Sequence, residues 1–166
     1  VFDEHLTHNL DSVCQLAGGA QNLIVHVKTH KSAAVATRQL EAGVAGFKCA
    51  TLKELEMVLQ VGAPLAVLAY PLCQASKVAR LVELAGQYPR ARVCACVGAA
   101  EHVALLAGAP ASPTPLSVLL DIDLGMHRTG VAPGEEAVAL YRSVAASPRL
   151  QPAGLHAYDG HDHLAE

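Results

Sequence analysis

Six short apolar runs recur along the chain, each bounded by glycine, proline or polar residues. Continuous apolar runs of this length, rich in valine and leucine, are typical of strands that are covered on both faces of a sheet. We therefore predict strands over Leu23–Val27, Gly46–Cys49, Pro64–Ala69, Arg92–Val97, Leu116–Ile122 and Leu150–Leu155.

Stretches rich in alanine and leucine lie between these runs and carry the period of a helix. Leu52, Leu55 and Leu59, for example, are spaced three and four residues apart and would share one helix face. Thr51 can cap the start of this helix, and Gly62 follows its end. Strands that alternate with helices are usually parallel, so the pattern predicts an α/β fold.

The periodicity leaves the shape of the sheet open. Six parallel strands fit a doubly wound open sheet, and they equally fit the first six strands of an eight-stranded TIM-type (β/α) barrel. After the sixth run comes a polar segment, HAYDGHDHLAE, without a further helix. As a barrel, the chain would supply about six of eight βα units and would stay open.

Composition removes several classes of function. The chain has 166 residues, 52% of them hydrophobic, and a formal net charge of −3, which suits one domain with a sizeable core and no nucleic-acid surface. The longest apolar runs fall short of the roughly 18 to 20 residues that a membrane span needs. Five cysteines at irregular spacings, with no leader segment, favour a reducing, cytoplasmic protein.

The stretch LIVHVKTHKS, Leu23–Ser32, runs from an apolar strand into a lysine flanked by histidines. If the strand continued through Thr29, the side chains of His26, Lys28 and His30 would project from one face. Lys28 would then lie at the carboxyl end of a parallel strand, where α/β enzymes build their active sites.

Two interpretations of this lysine stay open on the residues alone. A desolvated amine, or one beside another cation, loses its proton readily and becomes a nucleophile for Schiff-base chemistry. A lysine at a strand end is otherwise an ordinary solvated residue. Lys31 competes with Lys28, but it follows the strand beside the predicted cap Ser32, and we expect it at the surface.

A second stretch, LLDIDLGMHRTGV, ends another apolar strand in acidic residues, a glycine turn and an arginine. Arg128 would lie in the loop beyond the strand, where a guanidinium can bind an oxyanion through two hydrogen bonds. The alternative is an ion pair of Arg128 with Asp121 or Asp123 that only holds the loop.

The third polar stretch, GLHAYDGHDH, is rich in histidine. His161 and His163 could form a metal pair on one strand face, with Asp159 or His156 as third ligand. The alternative is a solvated terminus. Tyr158 could stack on a planar ligand or lie at the rim as an ordinary residue.

The cysteines and glycines argue against several cofactors. Cys94 and Cys96 would face one way in the fourth strand, but no second cysteine pair completes a zinc site. We interpret Cys49, Cys73, Cys94 and Cys96 as small buried hydrophobes. Neither a dinucleotide fingerprint nor a phosphate-binding loop follows a predicted strand, which disfavours nicotinamide and nucleoside-triphosphate enzymes.

Taken together, four motifs resemble one family. HVKTHKS, AGVAGFKCATLKELE, DIDLGMHRTGV and GLHAYDGH occur in the order and approximate spacing of the D-threonine aldolase and D-serine dehydratase branch of the alanine-racemase-like, fold-type III pyridoxal-phosphate enzymes. The resemblance covers nearly the whole chain. It implies that residues 1–166 are part of the N-terminal, cofactor-binding eight-stranded barrel of that family.

The resemblance also assigns site residues. It implies that Lys28 carries pyridoxal phosphate as a Schiff base, that Arg128 lies near the cofactor, and that the ring of Tyr158 flanks the pyridine. We expect the flanking His26 and His30 to lie at the cofactor as well. One departure is the absence of the usual Arg-Pro before the first motif, where this chain has Ile and Val.

Family members run about twice as long, so the resemblance implies the front half of a larger, homodimeric enzyme. Their cofactor-phosphate loops, and a C-terminal β-domain with ligands for a divalent metal such as manganese or zinc, are not in this chain. We expect the 166-residue chain alone to associate or aggregate and to be a poor catalyst, because an open parallel sheet leaves unpaired edges.

The implied activity is that of a lyase acting on a D-3-hydroxy amino acid, with D-threonine aldolase-type cleavage to glycine and an aldehyde narrowly favoured. A D-serine dehydratase or an amino-acid racemase of the same fold is the first alternative. A non-catalytic pyridoxal-phosphate-binding protein and a metal-dependent hydrolase that uses the terminal histidines are the others.

Overall fold

Parallel strands and helices alternate along the chain in the computed structural model, which describes residues 2–112 and 114–162. The strands are β1 (Ile24–His26), β2 (Gly46–Cys49), β3 (Leu65–Leu68), β4 (Arg92–Val97), β5 (Leu116–Ile122) and β6 (Leu150–Ala157). The α-helices are α1 (Asp3–Leu16), α2 (Ala33–Glu41), α3 (Leu52–Gln60), α4 (Ala75–Gln87), α5 (Ala100–Ala107) and α6 (Glu135–Ala146). Short 3₁₀ helices span Ala20–Asn22 and Val27–Thr29.

The helix signals in the sequence act as predicted at α3. The Thr51 side chain accepts a hydrogen bond from the Glu54 amide at 3.1 Å, and the Glu54 carboxylate accepts one from the Ala50 amide at 2.8 Å. The first bond satisfies an amide that the first helical turn leaves without a partner, and the second ties the residue before the cap to that turn. Gly62, with φ 91°, closes the helix in a left-handed conformation that suits glycine.

The strand order distinguishes between the two shapes that the sequence left open. The six strands are neighbours in chain order, β1 to β6, and every pair is parallel. A doubly wound sheet reverses its order at a switch point, whereas a barrel winds in one direction. The chain therefore forms a six-stranded section of a (β/α) barrel.

The two faces of the sheet differ in what covers them. On the outer face, Phe47, Leu68 and Val118 pack with the helix residues Leu55 and Leu81 in one large buried cluster. On the opposite face, which we call the inner face, a small cluster contains strand residues and no helix residue among those described: Val67, Cys94 and Cys96, with Leu65, Leu119 and Ala153 against them. The outer cluster is the main core, and the inner face is free to carry polar groups.

The predicted strands agree with the structure at β2, β4 and β5, whose bounds are those expected. β6 runs two residues further than predicted, and β1 ends one residue early because the chain enters the 3₁₀ helix at Val27. No helix within the described residues is long and apolar enough to cross a membrane.

Candidate functional site

Polar side chains converge on the inner face near the carboxyl ends of the strands. Residues paired directly in parallel register point to the same side of a sheet. His26 is paired with Lys48, which is next to Val67 of the inner cluster, and Asp121 is paired with His156. The carboxyl edge therefore gathers two histidines, a lysine and an aspartate on one face.

The structure corrects the predicted geometry around Lys28. The strand stops at His26, because the His26 ring accepts a hydrogen bond from the Lys28 amide at 3.3 Å and caps the 3₁₀ helix over Val27–Thr29. His26, Lys28 and His30 thus do not alternate along one strand face, and that prediction is wrong. Lys28 lies just beyond the end of β1 with an exposed side chain, so its amine is accessible at the edge of the sheet.

His30 lies on the helix side of this turn. Its Nδ1 accepts a hydrogen bond from the Ser32 amide at 3.1 Å, and its ring also faces Gln39 of α2. Burial lowers the pKa of His30 below its ordinary value. Lys31, the competing lysine, is exposed as predicted, with φ 49°.

His26 lies on the inner side, where its pKa is lowered by burial and by the positive charges of Lys28 and Lys48. Four residues that the sequence named as candidates therefore lie at this edge of the sheet: His26, Lys28, Arg128 and Tyr158. His30 is separated from them.

Arg128 contacts aromatic rings rather than carboxylates. Its guanidinium carbon lies 5.1 Å from the centroid of the Tyr158 ring and 5.5 Å from that of Tyr70. Among the described residues neither Asp121 nor Asp123 forms an ion pair with it, so the interpretation of Arg128 as a loop-holding ion-pair partner is wrong. Contact with the faces of two rings leaves the guanidinium N–H groups available to an anion.

The loop that carries Arg128 is organised by Asp123. Its carboxylate accepts hydrogen bonds from the amides of Gly125 and His127, at 2.9 and 3.0 Å, and pairs with the His127 ring at 2.9 Å. These bonds, led by the His127 amide, hold the pKa of Asp123 below its ordinary value. The loop is therefore fixed by its own backbone, and Arg128 projects from it.

Lys48 is the residue that the sequence reasoning missed. It is half-buried on the inner face, with its ammonium 5.9 Å from the centroid of the Tyr158 ring. Burial lowers its pKa; the cations of Lys28 and Arg128 act in the same direction, while Cys96 and Asp121 oppose them. The signal in the sequence was a single charged residue inside the otherwise apolar run Gly46–Cys49.

Asp121 and His156 form a buried pair beside Lys48. The Asp121 carboxylate, only 3% exposed, meets His156 Nδ1 at 2.5 Å. The second oxygen of Asp121 and Nε2 of His156 are also buried and have no partner within the described part of the protein. A cleft at this point is lined by Asp121, Arg128 and Tyr158, which joins the pair to the site.

The pairing of His156 bears on the alternative of a histidine metal site. His156 faces Asp121 rather than His161, and His163 lies outside the described residues. Within the described part of the chain, no three histidine, cysteine, aspartate or glutamate side chains are grouped as metal ligands would be.

The cysteines divide into two kinds. Cys49, Cys94 and Cys96 are buried as predicted, and burial raises the pKa of both Cys49 and Cys96 to about 12. Cys73 is exposed, so its prediction as a buried hydrophobe is wrong. It lies in the loop between β3 and α4, where its sulfur is 3.5 Å from Nε2 of His102.

A singly wound parallel sheet with its polar residues gathered at the carboxyl edge is the architecture of a (β/α)-barrel enzyme domain. Within that class, the family model described as the alanine racemase N-terminal domain matches residues 3–164. The chain therefore belongs to the alanine racemase N-terminal domain family.

Three known proteins show the range of its relatives. A 3-hydroxy-D-aspartate aldolase of Paracoccus denitrificans is 32% identical over 82% of this chain and 35% of its own length. A D-serine dehydratase of Saccharomyces cerevisiae is 29% identical over 98% of this chain and 43% of its own. The crystal structure of a D-threonine aldolase from Filomicrobium marinum superposes with a TM-score of 0.82 and 31% identity, covering 95% of this chain and 42% of that one. The chain thus spans about two fifths of the length of the proteins it resembles.

Proposed function

We propose that this chain forms the cofactor-anchoring part of a pyridoxal-phosphate-dependent lyase that cleaves D-3-hydroxy amino acids, by D-threonine aldolase-type chemistry, to glycine and an aldehyde. The observation that carries the proposal is the convergence of Lys28, Arg128 and Tyr158 at one edge of the sheet. Aldolases among the relatives support it.

The residues present fit the cofactor, which is a flat, anionic aldehyde. Lys28 offers an exposed amine that can hold the aldehyde carbon. Tyr158, 37% exposed, offers a ring to a flat ligand, and Arg128 and Lys48 surround that ring with positive charge. The unpartnered Asp121 oxygen and His156 nitrogen add hydrogen-bonding capacity beside the cleft.

When bound, pyridoxal phosphate accepts the electrons that are released at the α-carbon of the amino acid. The protein residues do the positioning. Lys28 holds the aldehyde carbon at the mouth of the barrel, and the Arg128 guanidinium, oriented by two rings, binds a carboxylate through its N–H groups. His26, kept neutral by burial and by the neighbouring cations, can accept or donate a hydrogen bond there without adding charge. A cofactor role for His30 remains a prediction.

In aldol cleavage, the 3-hydroxyl loses its proton, the bond between the α- and β-carbons breaks, and the α-carbon regains a proton to give glycine. We propose that the complete enzyme also holds a divalent metal, manganese or zinc, through ligands outside this chain; such a metal would supply Lewis acidity for the loss of that proton. The complete enzyme would be a cytoplasmic homodimer with a small amino acid as its substrate.

Dehydration is the second candidate, and the D-serine dehydratase relative favours it. The two reactions differ in their products. Cleavage yields glycine and an aldehyde, whereas dehydration and deamination yield a 2-oxo acid and ammonia. A racemase would instead return the other enantiomer, and a non-catalytic binding protein would return the substrate unchanged.

The test is a product assay on the complete enzyme with pyridoxal phosphate, manganese and D-threonine. We expect glycine and acetaldehyde in equal amounts, and we expect Lys28→Ala to lose activity on the order of 10³-fold. Lys31→Ala, which changes an exposed lysine three residues further along the chain, serves as the control and should retain activity. Chelation should lower glycine formation, and added manganese or zinc should restore it.

Ammonia and a 2-oxo acid as the main products would replace the aldolase proposal with the dehydratase. Full activity in Lys28→Ala would contradict the proposed role of this lysine in either reaction.

A further inference from the structure

Lys48 lies deeper in the sheet than the other two cations of the site. Lys28 and Arg128 are exposed, whereas Lys48 is half-buried on the inner face beside His26 and Val67. An ammonium that has lost part of its water requires a negative or hydrogen-bonding partner to compensate.

The protein itself does not supply that partner among its described residues. Lys48 forms no ion pair there within 4.0 Å. Asp121, the carboxylate whose charge acts on Lys48, is bound to His156 at 2.5 Å. Glu54, the next buried acid, accepts the Ala50 amide at the start of α3.

The balance of charge at the site indicates the kind of ligand. The charges of Lys28 and Arg128 both act on Lys48 there, and the inward-facing carboxylate opposite them in the described part of the chain, Asp121, is already paired. Such an excess of positive charge, partly shielded from water, favours a ligand with more than one acidic group.

This inference rests on the proposed function, in which two of the three cations already have a ligand. Lys28 holds the cofactor, and Arg128 binds the α-carboxylate of the amino acid at the rim. Lys48, on the inner face and 5.9 Å from the Tyr158 centroid, is left for a group further along the substrate.

We propose that Lys48 is a specificity-determining residue that binds the side-chain carboxylate of the substrate, so that the preferred substrates are acidic D-3-hydroxy amino acids such as D-3-hydroxyaspartate. A carboxylate would form a charge-assisted hydrogen bond with the Lys48 ammonium in a partly dry site. The methyl group of D-threonine would instead cover the ammonium without a partner, which costs binding free energy.

The first test compares kcat/KM for D-3-hydroxyaspartate and D-threonine in the complete, cofactor-loaded enzyme and in Lys48→Met. We expect the wild type to prefer the acidic substrate, and Lys48→Met to lose about 10- to 100-fold more on that substrate than on D-threonine, mainly through KM. Lys48→Arg should restore part of the preference. Lys31→Met should leave it at the wild-type value.

An equal loss on both substrates would overturn the proposal, because Lys48 would then serve the cofactor or the fold. A wild type without preference for the acidic substrate would overturn it as well.

A second measurement does not depend on turnover. Isothermal titration of the complete enzyme with D-malate and with D-lactate compares two hydroxy acids that differ by one carboxylate. We expect D-malate to bind at least about 10-fold tighter, the difference to disappear in Lys48→Met, and Lys48→Arg to keep part of it. Equal affinities in the wild type would overturn the proposal even if the lyase activity is present. A preference for D-malate in an enzyme without lyase activity would refute the proposed function and leave the acid-binding site standing.

Discussion

At the residue scale, His26 carries out two tasks at once. Its Nδ1 accepts the Lys28 amide hydrogen bond that ends β1, and its ring faces the cations of Lys28 and Lys48. The hydrogen bond requires an imidazole without a proton on Nδ1, and the neighbouring cations favour a neutral ring. A second proton would break the cap of the 3₁₀ helix and add a fourth positive charge beside Lys28, Lys48 and Arg128.

This arrangement predicts a dependence of stability on pH. Burial and the two lysines lower the pKa of His26 below 6.5, so the unfolded chain binds the proton more readily than the folded protein. Well above pH 6.5, His26 is neutral in both states, so its titration does not change the free energy of unfolding. As the pH falls below 6.5, the free energy of unfolding decreases.

Urea unfolding at pH 7.5 and at pH 5.0 measures the effect. The free energy of unfolding should decrease less between pH 7.5 and pH 5.0 in His26→Gln than in the wild type. Part of the decrease should persist in this variant, because burial also lowers the pKa of His30. His8→Gln, on the exposed surface of α1, should behave as the wild type. An identical decrease in His26→Gln and the wild type would refute the prediction.

Residues also show where sequence reasoning reaches its limit. Lys28, Arg128 and Tyr158 could be named as candidates because each follows an apolar strand, where active sites of parallel sheets lie, and because the family resemblance assigned them to the cofactor. Lys48 was missed because its neighbours Tyr158, Cys96 and Asp121 are all remote from it in the chain. Spacing along a sequence does not reveal a cluster that only the packing of four strands creates.

At the scale of elements, the loops after β4 and β5 depend on two glycines. A Cβ atom on Gly98 would lie 2.7 Å from the Cα of Gly130, and one on Gly130 would lie 2.7 Å from the Asp123 amide nitrogen. Gly130 also has φ 98°, which favours glycine. Their close approach brings the loop that carries Arg128 against the end of β4.

Gly98→Ala should therefore destabilise the protein by about 1 to 3 kcal/mol, because the added methyl group would clash with backbone atoms, and no side-chain rotation can relieve that clash. Gly86→Ala is the matched control. Gly86 lies within α4, and a methyl group added there would meet no described neighbour within 4 Å, so the same change should stabilise by about 0.5 to 1 kcal/mol. Urea unfolding gives both values, and a Gly98→Ala protein as stable as the wild type would contradict the close packing of the loops.

The elements were predictable to different degrees for physical reasons. β2, β4 and β5 were found with their correct bounds because apolar runs between breakers define central strands. β1 ended earlier than expected because its end is decided by one side-chain hydrogen bond from the Lys28 amide to the His26 ring. The pattern of hydrophobic residues cannot predict that hydrogen bond.

At the scale of the whole molecule, the sheet winds in one direction and keeps its helices on the outer face. Periodicity left this shape open, because it predicts strands but not their order, whereas the family resemblance implied an incomplete (β/α) barrel, which the structure confirms. The winding matters for function, since it turns the residues at six strand ends toward one mouth. Lys28 after β1 and Tyr158 after β6 therefore lie at the same edge of the sheet, although they are 130 residues apart in the chain.

The central claim is that Lys28 is the amine that holds pyridoxal phosphate. Borohydride reduction of the cofactor-loaded complete enzyme, followed by proteolysis and mass spectrometry of the peptides, tests it directly. The account predicts one pyridoxyl group per chain, on the peptide that contains Lys28. A pyridoxyl group on Lys48 or Lys31, or no group at all in protein saturated with the cofactor, would contradict it.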